Sequence, residues 1–90
     1  MRLPSFSGQL KRDVKLAVKR GKDMSKLRQV IGLLLAGESL PRELGDHPLK
    51  GSWKPRRDLH VEPDWILIYG VDGETVRFER TGTHSDLFGK

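Results

Sequence analysis

The sequence predicts an α+β domain in which two antiparallel helices pack on one face of a small antiparallel β-sheet. Apolar residues recur with helical spacing in the first part of the chain, and the pattern becomes strand-like from about residue 53. An Asp72-Gly73 pair then marks a tight hairpin turn between the last two apolar runs. A chain of 90 residues has the size of one domain, so we expect a single domain over residues 1–90.

Two helices are predicted from apolar stripes that lie between capping residues. The first covers residues 8–20, with Ser7 as the N-cap and Gly21 as the C-cap. Asp23 can cap a second helix, whose apolar stripe ends before Gly37. Because the connection between the helices is short, they are expected to run antiparallel.

Three strands are predicted after a loop over residues 38–52. Residues 53–61 alternate imperfectly between polar and apolar side chains, residues 64–71 are apolar on both faces, and residues 75–81 follow the hairpin turn. Residues 2–5 could add a short leading strand, although a proline lies within it.

The hairpin turn sets the register of the last two strands. If the Asp-Gly pair is its centre, Trp65 lies opposite Arg80 at the far end of the sheet. A short reversal containing a proline separates His60 from Asp64, and His84 follows the last strand in a C-terminal loop. The predicted neighbours at this end of the sheet are therefore His60, Asp64, Arg80 and His84.

Two imidazoles, a carboxylate and a guanidinium meet the needs of RNA cleavage by the 2′-hydroxyl. Histidine titrates near neutral pH and can act as acid or base, while arginine can bind the phosphate. No pair of histidines or carboxylates has the short spacing of a common metal site, so neither a metal nor another cofactor is expected. Each of these residues could instead be an ordinary surface group.

The basic charge is concentrated in the helical half. The formal net charge is +5; residues 1–45 hold ten Lys/Arg and four Asp/Glu, whereas residues 46–90 hold seven and eight. This imbalance indicates either ordinary solvated helices or a surface that docks on nucleic acid. The candidate docking residues are Lys11, Lys15, Lys19 and Arg20.

Composition also bears on location. The chain has no cysteine, which excludes a disulfide scaffold, a thiolate zinc site and a cysteine nucleophile and fits a reducing compartment. It shows neither a signal peptide nor an apolar run of membrane-spanning length. We therefore expect a cytoplasmic protein with no membrane partner.

Three segments resemble a known family: DHPLKGSW, RDLHVEPDWILIY and RFERTGTHSDLFG. They are similar to the YafQ branch of the RelE/ParE superfamily of toxins. The resemblance implies the RelE-like microbial RNase fold, with an antiparallel sheet and two helices. It also implies a ribosome-dependent mRNA endonuclease of a type II toxin-antitoxin system, held inactive by a cognate antitoxin.

The resemblance also implies roles for individual residues. It adds His47, which the register does not reach, to the four predicted neighbours, so the expected catalytic set is His47, His60, Asp64, Arg80 and His84. His84 and either Asp64 or His60 would divide the acid and base roles, while Arg80 would stabilise the phosphate. The expected RNA contacts are Trp65, Phe88, Lys54 and Arg56, although tryptophan at such a position is more often in the core.

Two other functions are compatible with the same composition. A ParE-like gyrase inhibitor shares the fold but does not need a cluster of histidine and aspartate. An RNA-binding protein without catalysis would explain the basic charge, yet it would leave His60, Asp64 and His84 without a purpose.

Overall fold

Within residues 1–89, a five-stranded sheet is flanked by three α-helices. The computed structural model describes residues 1–89. The strands are β1 (Leu3–Phe6), β2 (His47–Pro48), β3 (Arg57–Glu62), β4 (Trp65–Asp72) and β5 (Thr75–Gly82). The helices are α1 (Gly8–Lys19), α2 (Met24–Ala36) and α3 (His84–Phe88), with short 3-10 turns at Arg42–Leu44 and Gly51–Trp53.

The sheet is mixed rather than purely antiparallel. Its strands lie in the order β1-β5-β4-β3-β2. β2, β3, β4 and β5 pair antiparallel in turn, as predicted for the last three, but β1 runs parallel to β5. The leading strand therefore forms, and its direction corrects the prediction. Parallel strands need a long crossover, and everything from α1 to β4 lies between these two strands.

The two long helices confirm the predicted N-caps, whereas the C-cap of α1 is Arg20, and the predicted Gly21 follows it with φ of 78°. The Ser7 hydroxyl accepts a hydrogen bond from the Leu10 N–H at 2.9 Å, and the Asp23 carboxylate accepts one from the Ser25 N–H at 3.0 Å. Gly37 ends α2 in the left-handed region, with φ of 72°. Both helices pack on one face of the sheet. Their shared buried core consists of Leu10, Ala17, Leu27, Val30, Leu34, Leu59, Trp65, Leu67, Tyr69, Val76 and Phe78.

The other face of the sheet carries a smaller apolar cluster under α3, a helix that forms where the sequence predicts a loop. Leu87 of α3 packs against Ile66 and Ile68 of β4. Leu49, Trp53 and Phe88 lie around them. A five-residue helix is too short to show apolar periodicity in the sequence. Its capping residues mark where it begins.

The register between β4 and β5 differs from the prediction. Asp72 pairs with Thr75, so Gly73 and Glu74 occupy the centre of the turn, and Gly73 has φ of 60°. An irregularity in β5 at Glu79 then places Arg80 opposite Ile68 instead of opposite Trp65. An Asp-Gly pair can occupy more than one position in a turn, and the bulge leaves no signal in the sequence.

The first long strand also begins later than predicted, at Arg57 instead of Trp53, because residues 51–53 form a 3-10 turn. Among residues 1–89, no helix has both the length and the apolar character needed to cross a membrane.

Candidate active site

His84 and Asp64 are in direct contact at the end of the sheet. His84 is the first residue of α3, and Asp64 lies in the reversal between β3 and β4. The Nδ1 atom of His84 is 2.6 Å from Oδ1 of Asp64, and the same oxygen accepts the His84 backbone N–H at 2.9 Å. These two hydrogen bonds lower the pKa of the Asp64 carboxyl, which therefore stays ionised at neutral pH. The bond at Nδ1 leaves Nε2 of His84 as the nitrogen available to a substrate.

Three imidazoles form a row beside this pair. The ring centroids of His60 and His84 are 5.6 Å apart, and those of His47 and His60 are 6.4 Å apart. The Phe88 ring also lies near His84, with a distance of 6.3 Å between the ring centroids. The predicted convergence of His60, Asp64 and His84 is thus present in the structure, and His47, which only the resemblance indicated, joins the same row.

The imidazole of His47 is held in place by contacts of its Nδ1 atom. This nitrogen lies 2.9 Å from the Gly45 carbonyl oxygen and 3.0 Å from Oδ1 of Asp58. Because both neighbours are acceptors, Nδ1 carries a proton and Nε2 is left free. The geometry favours the carbonyl as the acceptor, since Oδ1 of Asp58 is buried without a well-aligned hydrogen bond.

Asp58 is a residue of the site that our sequence reasoning did not single out. Its side chain is buried, and it lies on β3 between His47 of β2 and Ile68 of β4. Burial raises the pKa of its carboxyl, and the neighbouring histidines counteract this in part. No pattern in the sequence marks it, because Asp58 occupies a polar position of an alternating strand.

The histidine row lies on the α3 face of the sheet. Residues directly opposite one another in a β-ladder project to the same side. His60 pairs with Ile66, and Asp58 pairs with Ile68; both isoleucines contact Leu87 of α3. The site is therefore separated from α1 and α2 by the thickness of the sheet.

Arg80 is engaged elsewhere. Its Nε donates to Oδ2 of Asp13 at 2.8 Å and its Nη2 donates to Oδ1 of Asp13 at 3.1 Å, so its hydrogen bonds go to α1 and not to the histidines. The Thr81 N–H also donates to Oδ2 of Asp13. The predicted register, with Arg80 opposite Trp65, is wrong because the turn is centred on Gly73 and Glu74 and because Glu79 forms a bulge, and the role of Arg80 at the phosphate stays a prediction.

The predicted RNA contacts differ in accessibility. Trp65 is only 1% exposed, and its Nε1–H donates to the Thr81 hydroxyl at 2.9 Å. It is a core residue and cannot stack on a base in this conformation, which corrects the expectation. Phe88 is partly buried beside His84, and Lys54 is exposed. Arg56 forms a 2.8 Å ion pair with Glu79.

Among the four candidate docking residues, Arg20 differs from the three lysines because its charge is paired. Lys11, Lys15 and Lys19 are exposed on α1. Arg20, in contrast, forms a two-pronged ion pair with Asp86 of α3, with N–O distances of 2.6 and 3.2 Å. The prediction of a free docking cation at Arg20 therefore needs correction, because its charge is already paired.

Over residues 1–89, no three or more histidine and acidic side chains are grouped so that they could hold a metal ion.

Comparison with known proteins places this chain among the bacterial toxins of type II toxin-antitoxin systems. The family model described as "Bacterial toxin of type II toxin-antitoxin system, YafQ" matches residues 2–89. The chain therefore belongs to the YafQ family.

Similar proteins and structures agree with this assignment. The mRNA interferase toxin YafQ of Escherichia coli K12 is 59% identical over 85 residues, which covers 93% of this chain and 92% of that protein. A putative toxin YafQ of Haemophilus influenzae is 35% identical, covering 90% of this chain and 86% of that protein. The crystal structure of the E. coli DinJ-YafQ complex superimposes with a TM-score of 0.92 at 56% identity, covering 99% of this chain and 100% of that one.

Proposed function

We propose that this protein is a ribosome-dependent mRNA endonuclease that cleaves RNA by attack of the RNA's own 2′-hydroxyl. Relatives of the family carry the name mRNA interferase. The observation that carries the proposal is the row of His47, His60 and His84, with Asp64 bound to Nδ1 of His84. This arrangement supplies groups that exchange protons near neutral pH, at an exposed edge of the sheet.

The reaction needs one proton acceptor and one proton donor. A base removes the 2′-hydroxyl proton while the 2′-oxygen forms a bond to phosphorus. The bond between phosphorus and the 5′-oxygen then breaks, and an acid donates a proton to that oxygen. The products are a 2′,3′-cyclic phosphate and a 5′-hydroxyl, with no other reactant consumed. Each positioned acid or base typically contributes about 10²–10⁴ in rate.

The contacts of His84 support an assignment of the two roles to imidazoles. Asp64 binds Nδ1 of His84, so it orients the ring and leaves Nε2 available to the substrate. His60, 5.6 Å away between ring centroids, is the imidazole best placed to exchange the second proton. Asp64 then acts as the orienting carboxylate, and His84 and His60 divide the acid and base roles.

Other groups near the row fit the binding of RNA. Phe88 lies beside His84 and offers an aromatic face for stacking on a base. His47 would present its free Nε2 to the phosphate or to a sugar hydroxyl. Arg80 would need to leave Asp13, or share it, before its guanidinium could bind the scissile phosphate.

The basic surface of α1 fits a second contact, with ribosomal RNA. Lys11, Lys15 and Lys19 are exposed on the helical side of the sheet, whereas the histidine row lies on the α3 side. The helix could therefore bind the ribosome through phosphates while the opposite face meets the mRNA.

The biological setting is part of the same proposal. A cognate antitoxin, by analogy with the DinJ-YafQ complexes of E. coli, would bind this chain and keep it inactive. Because translating ribosomes and their mRNA are cytoplasmic, we expect the activity in the cytoplasm. We expect residues 1–90 to act as one domain in all these contacts.

A translating-ribosome assay tests the activity. Purified protein is added to ribosomes programmed with a defined mRNA, and the mRNA ends are mapped by primer extension, with His84→Ala as the comparison. We expect the unmodified protein to cleave the ribosome-bound mRNA and to leave naked mRNA intact at the same concentration. Absence of cleavage on the ribosome would contradict the proposal.

The two alternatives predict other results in the same experiment. A gyrase inhibitor would leave the mRNA intact and block supercoiling of plasmid DNA. A silent RNA-binding protein would bind ribosomes without producing new mRNA ends. Neither alternative gives a reason for the contact between His84 and Asp64.

A further inference from the structure

The short helix α3 presents two residues of the site but contributes little to its own stability. His84 and Phe88 are its first and last residues. Isolated helices of fewer than about 12 residues are marginal in water, and α3 has five. Of its side chains only Leu87 is buried, against Ile66 and Ile68. One apolar anchor fixes the position of a helix but not its rotation, so other contacts must orient α3.

Asp86 supplies those contacts at the first turn. Its Oδ2 accepts the Thr83 N–H at 3.0 Å, and the Thr83 hydroxyl accepts the Asp86 N–H, which completes a capping box. Asp86 Oδ2 also accepts Nη1 of Arg20 at 2.6 Å, and Oδ1 accepts Nη2 at 3.2 Å. A forked guanidinium on a carboxylate fixes direction as well as distance.

The Asp86 side chain packs so closely against the end of β5 that position 82 has no space for a side chain. A Cβ at Gly82 would lie 2.9 Å from Oδ2 of Asp86 and 3.1 Å from its Cβ. The last residue of β5 must therefore be glycine for the carboxylate to lie against the strand while it binds Arg20.

Arg20 joins α3 to the rigid layer on the other face of the sheet. It follows α1 directly, and its N–H donates to the Leu16 carbonyl oxygen. α1 is itself fixed to β5, because Asp13 binds both the Arg80 side chain and the Thr81 N–H. The ion pair therefore connects the helical layer to α3 around the end of the sheet.

We propose that Arg20 and Asp86 are positioning residues, an ion pair that orients α3 and so holds His84 and Phe88 in the active geometry. In this proposal the pair acts on the substrate only through α3. His84 lies two residues before Asp86 and meets Asp64 and His60, so a rotation of α3 would change both of those contacts. The inference rests on the proposed function for its activity measurements, but its structural measurement does not.

Four variants test this inference: Arg20→Gln, Asp86→Asn, their combination, and Arg20→Lys. Arg28→Gln, which removes one exposed charge from α2, is the matched control. We expect each single variant to lower kcat for ribosomal mRNA cleavage by about 10- to 100-fold with KM changed less than about twofold. The combination should be no worse than either single variant, because both remove the same interaction. Arg20→Lys keeps the charge without the fork and should recover part of the activity.

NMR of the protein without ribosomes provides the second measurement. The ring signals of His84 and Phe88 should shift in Arg20→Gln and Asp86→Asn, while those of Tyr69 in the core stay unchanged; Arg28→Gln should move none of them. Unshifted His84 and Phe88 signals would overturn the inference, as would a KM rise in Arg20→Gln with kcat unchanged, which would make Arg20 a docking residue. If the unmodified protein fails to cleave mRNA, the proposed function fails, and the NMR comparison still decides the role of the ion pair.

Discussion

Oδ1 of Asp64 accepts two hydrogen bonds from one residue, the backbone N–H and the Nδ1–H of His84, at 2.9 and 2.6 Å. The backbone bond anchors the carboxylate at the start of α3, and the side-chain bond fixes the tautomer and the direction of the imidazole. The rest of the His84 ring faces His60 and Phe88. Asp64 thus orients the His84 imidazole and leaves Nε2 as its available nitrogen.

Replacing His84 by alanine should abolish cleavage and leave the fold intact. His84 is exposed, so its removal costs little packing, whereas loss of a positioned acid or base lowers the rate by about 10²–10⁴. The measurement is single-turnover mRNA cleavage on the ribosome, with circular dichroism to check the fold. Ser85→Ala, at the exposed neighbouring position, is the control and should cleave normally. A folded His84→Ala protein that cleaves at the full rate would remove His84 from the mechanism.

Asp64→Asn should lower kcat by about tenfold or more, because a neutral amide stabilises an imidazolium less well than a carboxylate does. The amide oxygen can still accept the His84 N–H, so α3 should remain in place. The pH dependence of kcat, compared with Asp72→Asn at the exposed hairpin turn, is the measurement. An unchanged pH profile and rate in Asp64→Asn would show that the carboxylate charge has no part in catalysis.

Asp58→Asn should stabilise the protein at neutral pH and lose this advantage in acid. The folded-state pKa of Asp58 is raised by burial, so its protonated form stabilises the fold below the unfolded-state pKa, near 3.8, and that contribution is lost as pH rises through the folded-state pKa. Asparagine avoids the cost of burying the charge. We expect Tm to rise by about 4–8 °C at pH 7.5, equivalent to about 1 kcal/mol.

The gain in Asp58→Asn should shrink towards pH 4, where the carboxyl of the unmodified protein is increasingly protonated. Thermal unfolding followed by circular dichroism at several pH values gives the comparison. A variant that is destabilised equally at pH 4 and pH 7.5 would instead show that the charge of Asp58 is well compensated by His47 and the other histidines.

Reversal of three lysines tests the docking surface. Lys11→Glu, Lys15→Glu and Lys19→Glu in one protein should weaken ribosome binding by at least about tenfold. They should also reduce the slope of log K against log salt by up to about 0.9 for each phosphate that is no longer neutralised. The rate at saturating ribosome concentration should stay unchanged, since the histidine row lies on the other face. Arg28→Glu on α2 is the control. Unaltered affinity and salt dependence would exclude α1 as the docking surface.

Features with a local physical cause could be predicted from the sequence. Ser7 and Asp23 cap their helices because a side-chain oxygen beside a helix start has a defined partner. The meeting of His60, Asp64 and His84 could also be predicted, although the predicted register of β4 and β5 was wrong. Their meeting depends on which end of the sheet each residue reaches. A register shift of a few positions between β4 and β5 does not change that end.

Features that depend on tertiary context could not be predicted. The turn position and the bulge at Glu79 together place Arg80 opposite Ile68, and no local pattern marks that bulge or the contact of Arg80 with Asp13. Asp58 appears in an alternating strand as a surface residue until α3 is known to cover that face. His47 lies in a two-residue strand, too short for any periodic signal, so only the family resemblance indicated it.

The most direct test of the account is cleavage of a ribosome-bound mRNA in which the nucleotide 5′ to the scissile phosphate carries a 2′-deoxy sugar. Attack by the 2′-hydroxyl is the step that His84 and His60 are proposed to serve. We expect this substitution to abolish cleavage at that position, and we expect the unmodified mRNA to yield a 2′,3′-cyclic phosphate and a 5′-hydroxyl. Cleavage of the deoxy-substituted mRNA at the normal rate would contradict it.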